Sequence, residues 1–299
     1  MFKKILIVGC GLIGSSILRA IIEKKISKKI YILEKSKKNI SKIKKINSNL
    51  IFLNKINKNI SKIDFVILCT PMSEYEKIIL KLNNFLPSNG LITDVGSTKK
   101  TLLETKNKKL NKRLNWIMSH PISGSEVSGP EYGSKNLFKK KWCIIIRDKN
   151  KKAEIQVVKF WKKIGAKIVF MQSEEHDKIF SITSHLPHLI AYNLIKTAQD
   201  FQKKNKKNIV KFSAGGLRDF SRTAASNEIM WRDIFFSNKI NMIKVIDMFI
   251  KNLNGLKKNI KLSEDKKLQR ILKNSKKVRK QIIDLKQDVS KPDFGRTSI

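Results

Sequence analysis

Cysteine is rare in this chain, and none of its three copies stands in a paired or metal-ligand spacing. Cys10 lies in the opening segment, and Cys69 and Cys143 lie in the apolar runs FVILC and WCIII. A disulfide framework and a thiolate metal centre are thereby excluded. The thiols read as small buried hydrophobes of a reducing compartment, the cytoplasm. No uninterrupted apolar stretch reaches the roughly 20 residues of a bilayer-spanning helix, so no membrane span is expected. Acidic residues are scarce too, 24 against 64 basic ones, for a formal net charge of +40. That imbalance raises the question of nucleic acid. The arginine and aromatic clusters of a nucleic-acid site are missing, however. The excess is lysine spread over every helix and loop among many Asn and Ile, a drift of the kind an AT-rich genome produces. No specific nucleic-acid partner is expected, only weak, salt-sensitive adhesion to polyanions.

What is present begins at the amino terminus. KKILIVG followed by CGLIGSSILRAIIEKK reads as a strand, a glycine-rich turn and a helix. Gly9, Gly11 and Gly14 have the G-x-G-x-x-G spacing. In that spacing the first glycine makes the tight turn, the second lets backbone approach a pyrophosphate, and the third lets the helix pack closely on the sheet. A second strand, KIYILE, ends in Glu34, 20 residues after Gly14, where an acid holds ribose hydroxyls. A carboxylate there repels the extra phosphate of NADP, so NAD is favoured and NADP less so, with Lys35 and Lys37 opposing that preference. The same segment also has the look of a lipoprotein signal ending at Cys10. Cleavage there would remove a strand that the following segments need, and the intracellular reading is the consistent one.

With 41% hydrophobic residues over 299 positions, the chain can bury the cores of two domains. Candidate strands at Ile5–Gly9, Ile30–Glu34, Leu50–Leu53, Asp64–Cys69, Leu91–Val95, Trp116–Ser119, Trp142–Arg147 and Lys167–Met171 alternate with helical stretches. Those stretches are Leu12–Lys25, Ser36–Ile46, Ser73–Phe85, Thr98–Leu110 and Lys151–Ile164. The alternation predicts an α/β fold with a doubly wound, Rossmann-type parallel sheet over residues 1–172. From Ser173 the periodicity is helical, so residues 173–299 are expected to be an all-α domain. It comprises one long helix from Ser173 that Pro187 should kink, shorter helices around Gly215 and Gly216, long helices at Asn238–Lys261 and Ser263–Asp288, and a loose tail from Ser290. Long helices with apolar stripes need a partner surface, which predicts a homodimer.

Three constellations sit where such a fold places ligands. DVGSTK carries Ser97, either a helix N-cap or a hydroxyl aimed into the crevice. SHPISGSE places His120 directly after a strand, before a loop with Ser123 and Gly124, and an exposed, restrained imidazole there reads as catalytic. The third joins His185 and His188, which flank Pro187 three residues apart, with GGLRDFSRTA. No carboxylate or thiol completes a metal site around that pair, so no metal is expected. Arg218 and Arg222 stand out in a chain that otherwise chooses lysine. A planar fork suits a carboxylate ligand; the alternative is an ion pair with Asp219 or Asp233.

GCGLIGSS, DVGSTK, SHPISGSE, SHLPHLIAYNL and GGLRDFSRTAASNEIMWRDIF, in that order and spacing, resemble the prephenate/arogenate dehydrogenase family of tyrosine biosynthesis. The resemblance runs from about residue 3 to about residue 260 and is to the single-function type, without a fused chorismate mutase or regulatory domain. It implies NAD-dependent oxidative decarboxylation of a cyclohexadienol. Hydride leaves the ring carbon bearing the hydroxyl, the hydroxyl loses its proton, and carbon dioxide departs as the ring becomes aromatic. By the same resemblance His120 is the catalytic histidine and Ser97 orients it. Arg222 binds a substrate carboxylate, and His188 with His185 lines the substrate end of the cleft beside Ser123 and Gly124. Asp219 and Trp231 are pocket positions supplied partly across a dimer interface. Gly9, Gly11, Leu12, Ile13, Gly14, Glu34, Thr70 and Pro71 line the cofactor. Which carboxylate Arg222 grips, and whether prephenate or arogenate is preferred, stay open, with a weak lean toward the dianionic keto acid. The enzyme alternative is a hydroxyisobutyrate-type dehydrogenase, which uses a lysine on the long helix where this chain offers His185 and His188. The non-enzyme alternative is a polyanion-binding protein with a vestigial dinucleotide fold.

Overall fold

The computed structural model describes residues 2–287; the expected tail from Ser290, and Asp288 of the last expected helix, lie outside them. Six short strands make the main sheet: β1 (Lys4–Val8), β2 (Lys29–Leu33), β3 (Ile51–Leu53), β4 (Phe65–Leu68), β5 (Leu91–Asp94) and β6 (Asn115–Ile117). Their order is β3-β2-β1-β4-β5-β6, and every neighbouring pair is parallel. Parallel neighbours need crossovers. Among these are α1 (Leu12–Glu23), α2 (Lys37–Lys44), α3 (Tyr75–Phe85) and α4 (Lys100–Lys109). Strand order reverses between β1 and β4, which makes the carboxyl ends of those strands the ligand crevice of such a sheet.

The strands read as unbroken apolar runs because both faces are covered. In β1, Ile5 and Ile7 join a core with Ile17, Ile21 and Trp161, while Leu6 and Val8 join an opposite core with Tyr75, Ile79 and Leu82. Backbone geometry at the opening turn requires glycine twice. Gly9 has φ +83°, and a Cβ on Gly14 would stand 2.2 Å from the Gly9 carbonyl oxygen.

The expected strand Trp116–Ser119 is in fact two. β6 stays in the main sheet, and β7 (Ser119–Pro121) turns into a separate three-stranded sheet with β8 (Trp142–Ile146) and β9 (Lys167–Met171). There β7 and β8 are antiparallel and β8 and β9 parallel. Side-chain bonds hold the bend: Ser119 Oγ donates to the Asp94 carbonyl at 2.5 Å and accepts from Trp161 Nε1 at 3.0 Å. That tryptophan belongs to α5 (Lys151–Lys163), which joins β8 to β9. His120 therefore lies within a strand and not after one.

The helical half begins with α6 (Ser173–Phe180), directly after β9. The single long helix expected from Ser173 is interrupted: Ser181–His185 form a π-helical turn before α7 (Leu186–Asn205). Pro187 offers no N–H to the preceding turn, and a widened turn is one way a helix absorbs that loss. The His188 ring takes up one of the carbonyls there, with Nδ1 donating to Ser184 O at 2.9 Å. Then follow α8 (Gly215–Ser221), α9 (Glu228–Ser237), α10 (Lys239–Lys261) and α11 (Asp265–Asp284). No helix among the described residues is long and apolar enough to cross a membrane.

Candidate active site

The glycine turn ends at Gly11, the N-cap of α1, which has no capping side chain and no acid in its first turn. Its positive end, including the backbone at Leu12 and Ile13, suits an anion. A Cβ on Gly11 would meet nothing within 4 Å, so the space a pyrophosphate needs is open. Glu34 stands beside the turn, accepting the Cys10 N–H at 2.8 Å and the Ser36 N–H at 2.9 Å. Each carboxylate oxygen keeps further acceptor capacity for a ribose hydroxyl. Thr70 follows β4 at the same edge, ahead of Pro71, and its Oγ1 is buried without a protein partner. These features fit a dinucleotide. Lys35 is drawn aside, its Nζ 2.7 Å from Glu74.

Behind the crevice lies a buried polar cluster. Lys99 and Asp94 are fully buried, and Lys99 Nζ donates to Asp94 Oδ2 at 2.5 Å and to the Ser119 carbonyl at 2.6 Å. Asp94 also accepts from Trp116 Nε1 at 3.0 Å and the Gly96 N–H at 2.9 Å. A buried pair needs this many partners to offset its desolvation. Asp177, from α6, accepts the N–H of Lys99 at 2.7 Å and of Lys100 at 2.9 Å, and so caps α4. Ser97 is therefore not the cap; it is half-buried in the turn between β5 and α4. His120 Nδ1 lies 2.8 Å from His176 Nε2, and His176 Nδ1 lies 2.8 Å from Asp177 Oδ1. Phe180 packs against His120 at 5.1 Å.

The helical half contributes a second group. His188 stacks on Trp231 at 3.8 Å between ring centres, and His185 meets the same indole edge-on at 6.1 Å. Trp231 therefore packs on its own chain's histidines. His185 Nδ1 lies 3.2 Å from Asn238 Nδ2. Trp231 Nε1 and Ser123 Oγ are buried without protein partners, groups that a bound polar ligand would satisfy. Gly124, next to Ser123, is exposed with open space around it. Arg222 Nη1 donates to Glu126 Oε2 at 2.9 Å, which ties the helical half to the loop following His120. The alternative pairing is not seen at Asp233, which takes Arg232 and the Ser73 N–H. Asp219 lies on the exposed face of α8. Among the described residues no group of His, Cys, Asp and Glu is arranged to hold a metal ion.

Burial holds the four imidazoles below their ordinary value. His120 is pushed well down, foremost by burial, then by His176, Lys99 and His185. His176 is lowered by burial against the opposing pull of Asp177, and His188 by burial with Arg222 nearby. His185 falls to about 4 through burial. The site is thus neutral in its histidines at physiological pH. Since the folded state resists protonation that the unfolded chain accepts near 6.5, their stabilising share is complete above that pH. It is lost as pH falls from there toward 4. The unfolding midpoint should therefore drop across that window in a calorimetric pH series, and a midpoint that rises with acidification would contradict the burial of these rings.

Sequence reasoning did not assign roles to Asp94, Lys99, Glu126, His176, Asp177 or Asn238. Two of these, Asp94 and Lys99, stand at the ends of the quoted DVGSTK motif, and His176 is one of only four histidines. Those were the available signals.

Comparison with known proteins bears on the whole arrangement. Residues 17–170 match the nucleotide-binding domain of prephenate dehydrogenase, and residues 172–274 match the prephenate dehydrogenase dimerization domain. The chain is 32% identical to a cyclohexadienyl dehydrogenase of Zymomonas mobilis, over 93% of its own length and 96% of that protein's. It is 30% identical to a prephenate dehydrogenase of Lactococcus lactis, over 93% and 77% of the two lengths. A crystal structure of prephenate dehydrogenase from Aquifex aeolicus, in complex with hydroxyphenyl propionate and NAD+, matches with a TM-score of 0.87 and 34% identity, over 94% of this chain and 99% of that one. With both halves matched and the Zymomonas relative aligned nearly end to end, the chain belongs to the prephenate dehydrogenase family and is an oxidoreductase with a nucleotide-binding, Rossmann-type domain.

Proposed function

We propose that the chain oxidatively decarboxylates prephenate to 4-hydroxyphenylpyruvate, or arogenate to tyrosine, with NAD, and that it divides into a cofactor domain over residues 1–172 and a substrate and dimerisation domain from residue 173. Gly9, Gly11, Gly14 and the amino end of α1 would hold the pyrophosphate, Glu34 the adenosine ribose, and Thr70 and Pro71 the crevice edge. When bound, the nicotinamide supplies the hydride acceptor. His120 takes the proton of the ring hydroxyl as hydride leaves the same carbon. It returns that proton to the phenolate formed when the ring-to-carboxylate bond breaks and carbon dioxide departs. Ser97 helps orient the base. Arg222 exchanges Glu126 for a substrate carboxylate, with His188, His185, Ser123, Gly124 and Trp231 around it.

The observation that carries this reading is an imidazole just beyond β6, held below its ordinary pKa by burial and linked through one loop and one ion pair to the guanidinium of the other half. A base works best when it is unprotonated at operating pH and gains its proton only in the transition state. The hydroxyisobutyrate-type and polyanion-binding alternatives are not favoured beside the family match. Large apolar residues exposed on α10 and α11, among them Ile240, Ile250, Leu253, Leu272 and Val278, support a homodimer. Unpaired thiols support a cytoplasmic setting. The test is NADH absorbance after adding prephenate or arogenate to enzyme and NAD. A rise with at least one substrate is expected, and silence with both would overturn the proposal.

A further inference from the structure

His176 has no part in the chemistry above, yet it is fully buried between the base and a carboxylate. The hydrogen bonds fix where its proton lies. An ionised carboxylate only accepts, so the hydrogen between Asp177 Oδ1 and His176 sits on His176 Nδ1. A neutral imidazole has one N–H, which leaves His176 Nε2 as a lone pair. The hydrogen of the 2.8 Å contact between the two rings therefore belongs to His120 Nδ1, and His120 Nε2 is the free lone pair. We propose that His176, oriented by Asp177, is a positioning residue that holds His120 in its Nδ1–H tautomer and so presents Nε2 as the base. This rests on the reading of His120 as the base.

The holder is itself fixed. Asp177 lies at the amino end of α4, taking the Lys99 and Lys100 N–H groups, where the helix dipole favours a carboxylate. Its backbone carbonyl accepts Asn238 Nδ2 at 2.7 Å. Phe180 packs on His176 at 4.5 Å and on His120 at 5.1 Å, which restricts ring rotation. The charged and titratable groups around the pair are Asp177, Lys99 with its partner Asp94, and His185. A base on the sheet side thus receives its tautomer from α6 of the helical half. Once His120 is protonated, its Nδ1–H points at a neutral ring backed by a carboxylate, which stabilises charge where it develops.

Nitrogen-15 NMR of the histidine-labelled full chain at neutral pH tests the tautomer directly. His120 should show a protonated Nδ1 and an unprotonated Nε2; the opposite tautomer, or an equal mixture, would overturn the proposal. A kinetic arm follows. His176→Phe removes the acceptor, and kcat should fall on the order of 10²-fold with KM values near the parent's. His176→Gln, whose amide oxygen can accept from His120 Nδ1, should recover much of that loss. A parental kcat in His176→Phe, or a His176→Gln no better than His176→Phe, would count against it. The NMR arm uses the unmodified protein and decides the matter even if a variant fails to fold. It is also independent of whether His120 is the base, which the His120→Asn variant reports separately.

Discussion

His120→Asn should lower kcat by on the order of 10³-fold while NAD affinity stays near the parent's. The substitution keeps a polar group of similar reach and can still hydrogen-bond toward His176, so the local packing with Phe180 need not collapse. What it removes is the ring nitrogen proposed to accept the hydroxyl proton and give it back. The proposed cofactor contacts are untouched, because the glycine turn and Glu34 follow β1 and β2, whereas His120 lies in β7. Steady-state rates with prephenate and a fluorescence titration of NADH would measure the two quantities separately. A variant with parental kcat would mean that His120 is not the base, even if the enzyme forms tyrosine precursors as proposed.

Arg222→Ala should act on the other parameter, raising KM for the substrate roughly 10- to 100-fold, the cost of one charge-assisted hydrogen bond, with a smaller change in kcat. The side chain is partly exposed and its present partner is Glu126, so truncation removes a surface ion pair and should cost little stability. The direction of the kinetic effect follows from which carboxylate is held. A cation on the carboxylate that becomes carbon dioxide would stabilise the ground state more than the transition state. Holding the side-chain carboxylate carries no such penalty, so loss of the arginine should be felt mainly in binding. A raised KM accompanied by a rise in kcat would place Arg222 at the reacting carboxylate instead, and a large fall in kcat at unchanged KM would contradict a binding role altogether.

The sheet was legible because its strands are covered on both faces and so appear as apolar runs between glycine, proline and polar punctuation. Gly9, Gly14 and Glu34 were legible because one geometry demands them at fixed offsets. The division of Trp116–Ser119 was not, since the bend depends on Thr93, Asp94 and Trp161, residues remote in sequence that meet at one hydroxyl. Nor was the Asp177–His176–His120 chain of bonds, which joins α6 to β7 across 56 residues and has no local periodicity. The π turn before Pro187 could be foreseen only as a disturbance. The way a helix absorbs a missing donor depends on what it packs against, here Asn238 and Trp231 around His185.

The central claim, a neutral imidazole at position 120 that works by taking a proton, is tested most directly by the pH dependence of kcat/KM for prephenate in the parent and in His120→Asn. The parent should hold its rate through neutral pH and lose it on the acid side, through a group titrating well below the ordinary imidazole value, as His120 becomes protonated. That acid limb should vanish from the small residual rate of the variant. The same limb persisting in His120→Asn would contradict the account.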